Sequence, residues 1–234
     1  MVITGERTVP GIWHENYWFR RHEVVYLRIN DLVTGMDVLE AGCGEGYGAH
    51  LLAKQSKSLH ALDYDDYATG HVHAAYPDVS VLRANLVQLP YADESFDVVV
   101  SLQTIEHLWN QQAFVAECLR VVRPGGTIII STPNTLTFPP GNIYHPKELT
   151  PNELRLLLDR SAIITSCVGL GHGPALTTWE GANGSIIDAQ IARPYDEWDA
   201  ELIEQVTTVT INDFIFTTDQ LDDSLDLIVV AQKS

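Results

Sequence analysis

The run Glu40-Ala-Gly-Cys-Gly-Glu-Gly-Tyr-Gly48 sets glycines at 42, 44, 46 and 48 directly behind an acid. Glycines let a backbone take positive φ and come close to a ligand, and a strand running through such a turn into a helix cradles nucleotides. A dinucleotide fingerprint needs Gly-x-Gly-x-x-Gly. Counted from Gly42, Gly44 or Gly46, the last position falls on Tyr47, Ala49 or Leu51, so no register fits. No Gly-Lys-Ser/Thr follows, which excludes a phosphate loop. Glu40 would repel a diphosphate and attract an ammonium or a sulfonium. Asp63 ends the next apolar run, where an acid can take both ribose hydroxyls. These features select S-adenosylmethionine (SAM) over NAD.

A second group follows the strand pattern ending near Ser101. Glu106 and His107 are adjacent, and His145 lies beyond Ser131-Thr-Pro-Asn134 and a proline-rich loop. Both segments leave the carboxyl ends of strands, where ligands bind in parallel sheets. One carboxylate and two imidazoles there suit a divalent cation with open positions. Such an ion lowers the pKa of a hydroxyl, while a histidine alone removes its proton as a base. Either route activates a hydroxyl for methylation, and both remain open. In the N-terminal segment, Tyr17 and Arg21 lie four apart on one helical face and would reach the SAM carboxylate. Trp13 and Trp18 suit either a sugar ring or burial against the sheet.

The elements that must hold these residues alternate. Strands are expected at 37–40, 58–63, 79–83, 96–101 and 127–131, with helices at 49–54, 66–76 and 111–122. Phe96-Asp-Val-Val-Val-Ser101 is nearly all apolar, as a strand buried on both faces requires. This alternation predicts an α/β, Rossmann-like doubly wound sheet, mostly parallel, with an antiparallel C-terminal strand. Thr150, Pro151 and Glu153 make a capping box for a further helix. The stretch 169–185, rich in Gly and Thr, reads as loop. A helix is expected within 196–209 and closing strands at 214–217 and 225–232. The expected organisation is a single domain, with an N-terminal helical cap over about 1–34 and a C-terminal insertion over about 170–212.

The 234 residues are 45% hydrophobic and 19% charged, enough apolar material for a core. Formal net charge is −17, with 14 basic against 31 acidic residues. Such a surface repels nucleic-acid phosphates, and no basic patch offsets it. Three cysteines without a Cys-x-x-Cys spacing argue against a disulfide framework or a zinc knuckle. The N-terminus does not read as a signal peptide, and no run approaches a membrane span. A cytoplasmic protein with a small-molecule acceptor is expected, without nucleic acid or membrane, and with a homodimer left open.

The motifs Glu-Ala-Gly-Cys-Gly-Glu-Gly, Ala-Leu-Asp-Tyr-Asp, Asn-Leu-Val-Gln-Leu-Pro-Tyr and Leu-Arg-Val-Val-Arg-Pro-Gly-Gly, in this order, resemble those of class I SAM-dependent methyltransferases. The resemblance implies Glu40 and Gly42 near the methionine moiety, with Gly44 and Gly46 completing the turn. It also implies Asp63 on the ribose, Tyr64 against the adenine, Asn85 and Leu86 at the adenine edge, and Gln103 at the reacting end. Gln103-Thr-Ile-Glu106-His107 with His145 resembles the Glu-x-x-Glu-His…His metal pattern of small-RNA 2′-O-methyltransferases and ubiquinone-pathway O-methyltransferases. Here the first Glu is Gln103, a weaker ligand. Glu-Asn-Tyr-Trp-Phe-Arg-Arg-His-Glu-Val-Val-Tyr, Gly-Ser-Ile-Ile-Asp-Ala-Gln and Asp-Asp-Ser-Leu-Asp-Leu are similar to the actinobacterial methylmannose-polysaccharide 1-O-methyltransferase family. That similarity implies a 3-O-methylated mannoside acceptor, magnesium, and His145 near the acceptor hydroxyl. A metal-free O-methyltransferase and a SAM-binding protein without catalysis are the alternatives.

Overall fold

The computed structural model describes residues 7–159 and 162–234. The runs expected as strands become β1 (Asp37–Ala41), β2 (Ser58–Asp63), β3 (Ser80–Arg83), β4 (Phe96–Leu102) and β5 (Val122–Pro133). They are followed by β6 (Ala162–His172), β7 (Phe214–Thr217) and β8 (Asp226–Lys233). The helices are α1 (Asn16–Val33), α2 (Tyr47–Ala53), α3 (Asp66–Ala75), α4 (Gln111–Val121), α5 (Pro151–Asp159), α6 (Pro174–Asn183), α7 (Ile186–Ile191) and α8 (Ala200–Thr208). One eight-stranded sheet runs in the order β3-β2-β1-β4-β5-β8-β6-β7. Strands β1 to β5 pair in parallel, and β8 pairs antiparallel with both β5 and β6. The edge strand β7 is antiparallel to β6.

Alternation along β4 explains the two layers. Val98 and Val100 face a cluster with Ile29 of α1 and Leu52 of α2. Val99 faces the opposite cluster, with Phe114 of α4 and Leu154 of α5. The β4–β5 register shifts between Phe96 and Val98, and Phe96 joins the Val99 side. Burial on both faces requires the continuous apolar run read from the sequence. The capping box also forms: Thr150 N donates to Glu153 Oε2 at 3.0 Å, and Glu153 N donates to Thr150 Oγ1 at 3.2 Å.

The chain leaves β1 toward β2 and β3, then returns to β4 on the other side of β1. This reversal opens a crevice at the carboxyl ends of β1 and β4, the place where such sheets bind ligands.

The stretch 169–185 is not a loop. β6 continues to His172, and α6 begins at Pro174, where a proline suits the first helical turn. Position 169 of the strand needs glycine because a Cβ there would collide with the Ser224 side chain. Pairing with β8 on one side and β7 on the other overrides the weak strand propensity of its glycines. Helices α6 to α8 lie between β6 and β7 in the chain. Leu176, Ile186 and Leu202 from them share a core cluster with Tyr17 and Val25 of α1. Among the described residues, no helix is long and apolar enough to cross a membrane.

Candidate functional site

The glycine turn after β1 is built for close approach. Gly42 has φ +93°, and a Cβ on it would overlap the Thr104 side chain at the end of β4. Asp63 braces the turn with both oxygens: Gly44 N donates to Oδ2 at 2.8 Å and Asp65 N donates to Oδ1 at 2.9 Å. A cavity of about 730 Å³ opens here, lined by Gly42, Gly44, Asp63, Tyr64, Leu86 and Gln103 among others. Leu86 is buried, and Tyr64 is 67% exposed at the rim. Gly46 (φ +83°) serves as the left-handed N-cap of α2 and does not line the cavity.

Glu40 sits behind the turn, fully buried. Gly48 has no Cβ, which leaves room for the Tyr26 ring, and the Tyr26 hydroxyl donates to Glu40 Oε1 at 2.6 Å. Oε2 is buried without a partner. Burial pushes this carboxyl up to about 8. Glu40 does not itself line the cavity, whereas Tyr26 does. The glycine cradle and an unsatisfied acid behind it fit a ligand that carries positive charge.

Besides Glu40 and Gly46, three more of the expected cofactor residues lie off the wall of this cavity. Asn85 is exposed, its Oδ1 accepts from Val87 N at 3.1 Å, and it is not on the cavity wall. The local turn claims the side chain, as Asn side chains commonly do. Tyr17 is fully buried, with its hydroxyl 2.7 Å from His172 Nε2. Arg21 is held by Asp226 of β8 through Nε (2.7 Å) and Nη2 (2.6 Å). Neither Tyr17 nor Arg21 lines the cofactor cavity. They fasten α1 to the sheet because a buried guanidinium needs a paired carboxylate.

A second cavity, of about 770 Å³, adjoins the first, and Thr8, His22, Gln103 and His107 line both. Gln103 follows β4 with φ +50°, and its Nε2 donates to Ser131 Oγ at 3.3 Å. Next come Glu106 and His107 on a short 3₁₀ turn. Glu106 is 1% exposed, and the Thr132 hydroxyl donates to its Oε2 at 3.1 Å. Burial pushes Glu106 up to about 7. His107 Nδ1 donates to the Tyr144 carbonyl at 3.0 Å, which turns Nε2 away from that bond. His145 Nδ1 lies 2.7 Å from Glu148 Oε1, and Asn142 Nδ2 donates to its Nε2 at 3.2 Å. Glu106, His107 and His145 each offer a ligand atom within 4.8 Å of the others. One carboxylate and two imidazoles, one of them backed by a second carboxylate, are a donor set that fits a divalent cation.

Comparison with known proteins decides the family. A family model described as "Methyltransferase domain" matches residues 39–130. A Mycolicibacterium smegmatis protein named "Probable S-adenosylmethionine-dependent methyltransferase" is 48% identical over 245 residues, covering 100% of this chain and 95% of its own. The chain belongs to the SAM-dependent methyltransferases. A ubiquinone biosynthesis O-methyltransferase of Rickettsia felis is 30% identical over 182 residues, 69% of this chain and 74% of that one. A SAM-dependent methyltransferase structure from Thermotoga maritima aligns with TM-score 0.66 and 15% identity, over 95% of this chain and 92% of its own, and shows the shared fold.

In the methyltransferase, several residues at or beside the two cavities were not singled out by the sequence. Arg7 crosses the glycine turn, paired with Asp65 and, at 3.8 Å, with Glu45. Thr8 Oγ1 lies 3.0 Å from the Tyr47 hydroxyl. His22 lines both cavities, and burial pushes its pKa down to about 4, so it is neutral at pH 7. Glu148 follows His145 by three residues, a spacing that could have marked it as the partner of that histidine.

Proposed function

We propose that this methyltransferase moves the methyl group of SAM to a hydroxyl of a small acceptor, a sugar in particular, with a divalent cation held by Glu106, His107 and His145. The observation that carries this reading is the convergence of those three ligand atoms beside the wall that the two cavities share. SAM supplies an electrophilic methyl carbon on sulfur. The C–S bond breaks as the C–O bond forms, S-adenosylhomocysteine leaves, and the hydroxyl proton must pass to a base. A cation at this site would lower the hydroxyl pKa. Glu148 would fix Nδ1 of His145 as the donor, and Nε2 would exchange its bond from Asn142 for a cation or a proton. Asp63 would take the ribose hydroxyls, and Tyr64 and Leu86 would flank the adenine, a reading supported by their shared place on the wall of the first cavity.

Oxygen as the target is supported by the O-methyltransferase name of the Rickettsia relative. A sugar is supported by the aromatic wall of the second cavity, where His14 and Tyr195 stack with centroids 3.9 Å apart and planes within 1°. A net charge of −17 disfavours a nucleic-acid acceptor. Two imidazoles in the donor set favour a first-row ion such as manganese over magnesium, the ion that the sequence resemblance implies. A metal-free reading, with His145 as base, is supported by the 2.7 Å His145–Glu148 pair.

The test is methyl transfer from SAM to methyl glycosides and to catechols, before and after EDTA, with magnesium or manganese then restored. Transfer to a glycoside that EDTA abolishes and a cation restores is the expected result. Transfer that survives EDTA selects His145 as base. A methylated product with no new C–O bond refutes the reading.

A further inference from the structure

The second cavity holds two buried polar atoms that methyl transfer leaves unused. Arg21 is 1% exposed, and its Nη1 meets no hydrogen-bond partner while Nε and Nη2 are taken by Asp226. The Tyr17 hydroxyl beside this guanidinium is bonded to His172. Gln190, on α7, is 6% exposed; its Nε2 donates to the Ile186 carbonyl at 3.0 Å, and its Oε1 meets no partner. Both residues line the same 770 Å³ cavity. Buried polar groups are nearly always paired, so an orphaned donor and an orphaned acceptor on two residues that line one cavity call for a ligand.

The chemistry of that ligand follows from the two atoms. Nη1 can only donate and Oε1 can only accept. A hydroxyl does both. Asp226 already balances the charge of Arg21. Glu15 and Glu106 also line the cavity, so an anionic group gains little there. The Trp18 ring, 5.5 Å from the Arg21 guanidinium carbon, and the stacked His14–Tyr195 pair add apolar faces of the kind a sugar ring covers.

We propose that Arg21 and Gln190 form a second hydroxyl-binding subsite that grips a non-reacting hydroxyl of a neutral, polyhydroxylated acceptor and so selects which hydroxyl is methylated. This rests on the hydroxyl-acceptor reading above. α1 and α7 supply the grip, and the loops after β4 and β5 supply the reacting end. The site discriminates because an acceptor without that hydroxyl leaves both atoms unpaired.

The test uses the full chain with SAM and methyl glycopyranosides of gluco, galacto and manno configuration, together with their monodeoxy analogues. Products are assigned by NMR. Gln190→Leu is expected to raise the acceptor KM about tenfold, with the SAM KM and the melting temperature near wild type. It should also erase the wild-type preference for the intact glycoside over the one deoxy analogue that lacks the gripped hydroxyl. Arg21→Lys, which keeps a charge against Asp226, should lose the same preference; if it does not fold, Gln190→Leu decides alone. If wild type methylates a glycoside and Gln190→Leu keeps both the KM and the preference, the subsite is refuted while O-methylation stands. If no hydroxyl compound is methylated, both fall.

Discussion

Replacing Glu40 by Gln should stabilise the cofactor-free protein and weaken its hold on the cofactor. Burial raises this carboxyl from its ordinary 4.5 to about 8, against the opposing hydrogen bond from Tyr26 and aided by the charge of Asp63. Below pH 4.5 the group is protonated in the folded and unfolded chains alike, and no penalty arises. Between 4.5 and 8 the unfolded chain releases the proton and the folded chain keeps it. Stability therefore falls as pH rises, by ~1.4 kcal/mol per unit. At pH 7 the accumulated penalty is on the order of 3 kcal/mol, and a neutral amide of the same shape avoids it. At pH 5 the difference shrinks to under about 1 kcal/mol. The cofactor's ammonium reverses the balance by favouring the ionised carboxylate, so binding near pH 7 should release a proton. Losing that charge behind the turn should weaken S-adenosylhomocysteine by roughly 10- to 100-fold. Urea unfolding of wild type and Glu40→Gln at pH 5 and 7.5 reads the first effect. Calorimetry in two buffers of different ionisation enthalpy reads the affinity and the proton count. A variant less stable than wild type at pH 7.5, or one binding S-adenosylhomocysteine with unchanged affinity and proton release, would refute the argument.

Three further substitutions separate the other groups. Glu106→Gln should abolish the upward shift in melting temperature that manganese gives the wild type; in the wild type that shift should fade as pH drops through about 7, where Glu106 takes up its proton. Glu148→Gln loosens the His145 tautomer and should lower kcat by roughly 10- to 100-fold with the KM for SAM unchanged, as read from initial rates. Asp226→Asn leaves Arg21 buried beside a neutral group and should destabilise the fold by about 3–5 kcal/mol in urea unfolding.

What the sequence revealed depended on how local the cause was. β1, β2 and β4, expected at 37–40, 58–63 and 96–101, end at Ala41, Asp63 and Leu102, and the failed dinucleotide registers around Gly42 are counted within a few residues. Strand β6 was obscured because its glycines read as loop until Ser224 and the β7 and β8 partners explain them. Tyr17 and Arg21 do share a helical face, as their spacing says. Spacing cannot name what that face meets, and the partner of Arg21 is 205 residues away. Asn85 shows the opposite case, since a bond two residues along the chain occupies its side chain.

The two cavities are built on different principles, and the difference explains where selectivity can reside. The cofactor wall comes largely from the carboxyl ends of β1, β2 and β4, whose relative positions the parallel pairing fixes. The wall of the second cavity, the proposed acceptor site, gathers α1, α7 and the loop that carries His145, segments outside that parallel core. Substitutions there can change the acceptor without moving the methyl donor. The link between the two walls passes through Gln103 and His107. Gln103 holds a left-handed backbone, which costs a non-glycine residue about 1–3 kcal/mol and persists only when its surroundings enforce it. Here β5 enforces it, since Gln103 N donates to the Ser131 carbonyl at 3.0 Å. The strain thus falls on a residue that lines both cavities, and the β4–β5 pairing that holds it is the same pairing that carries Glu106 toward Thr132.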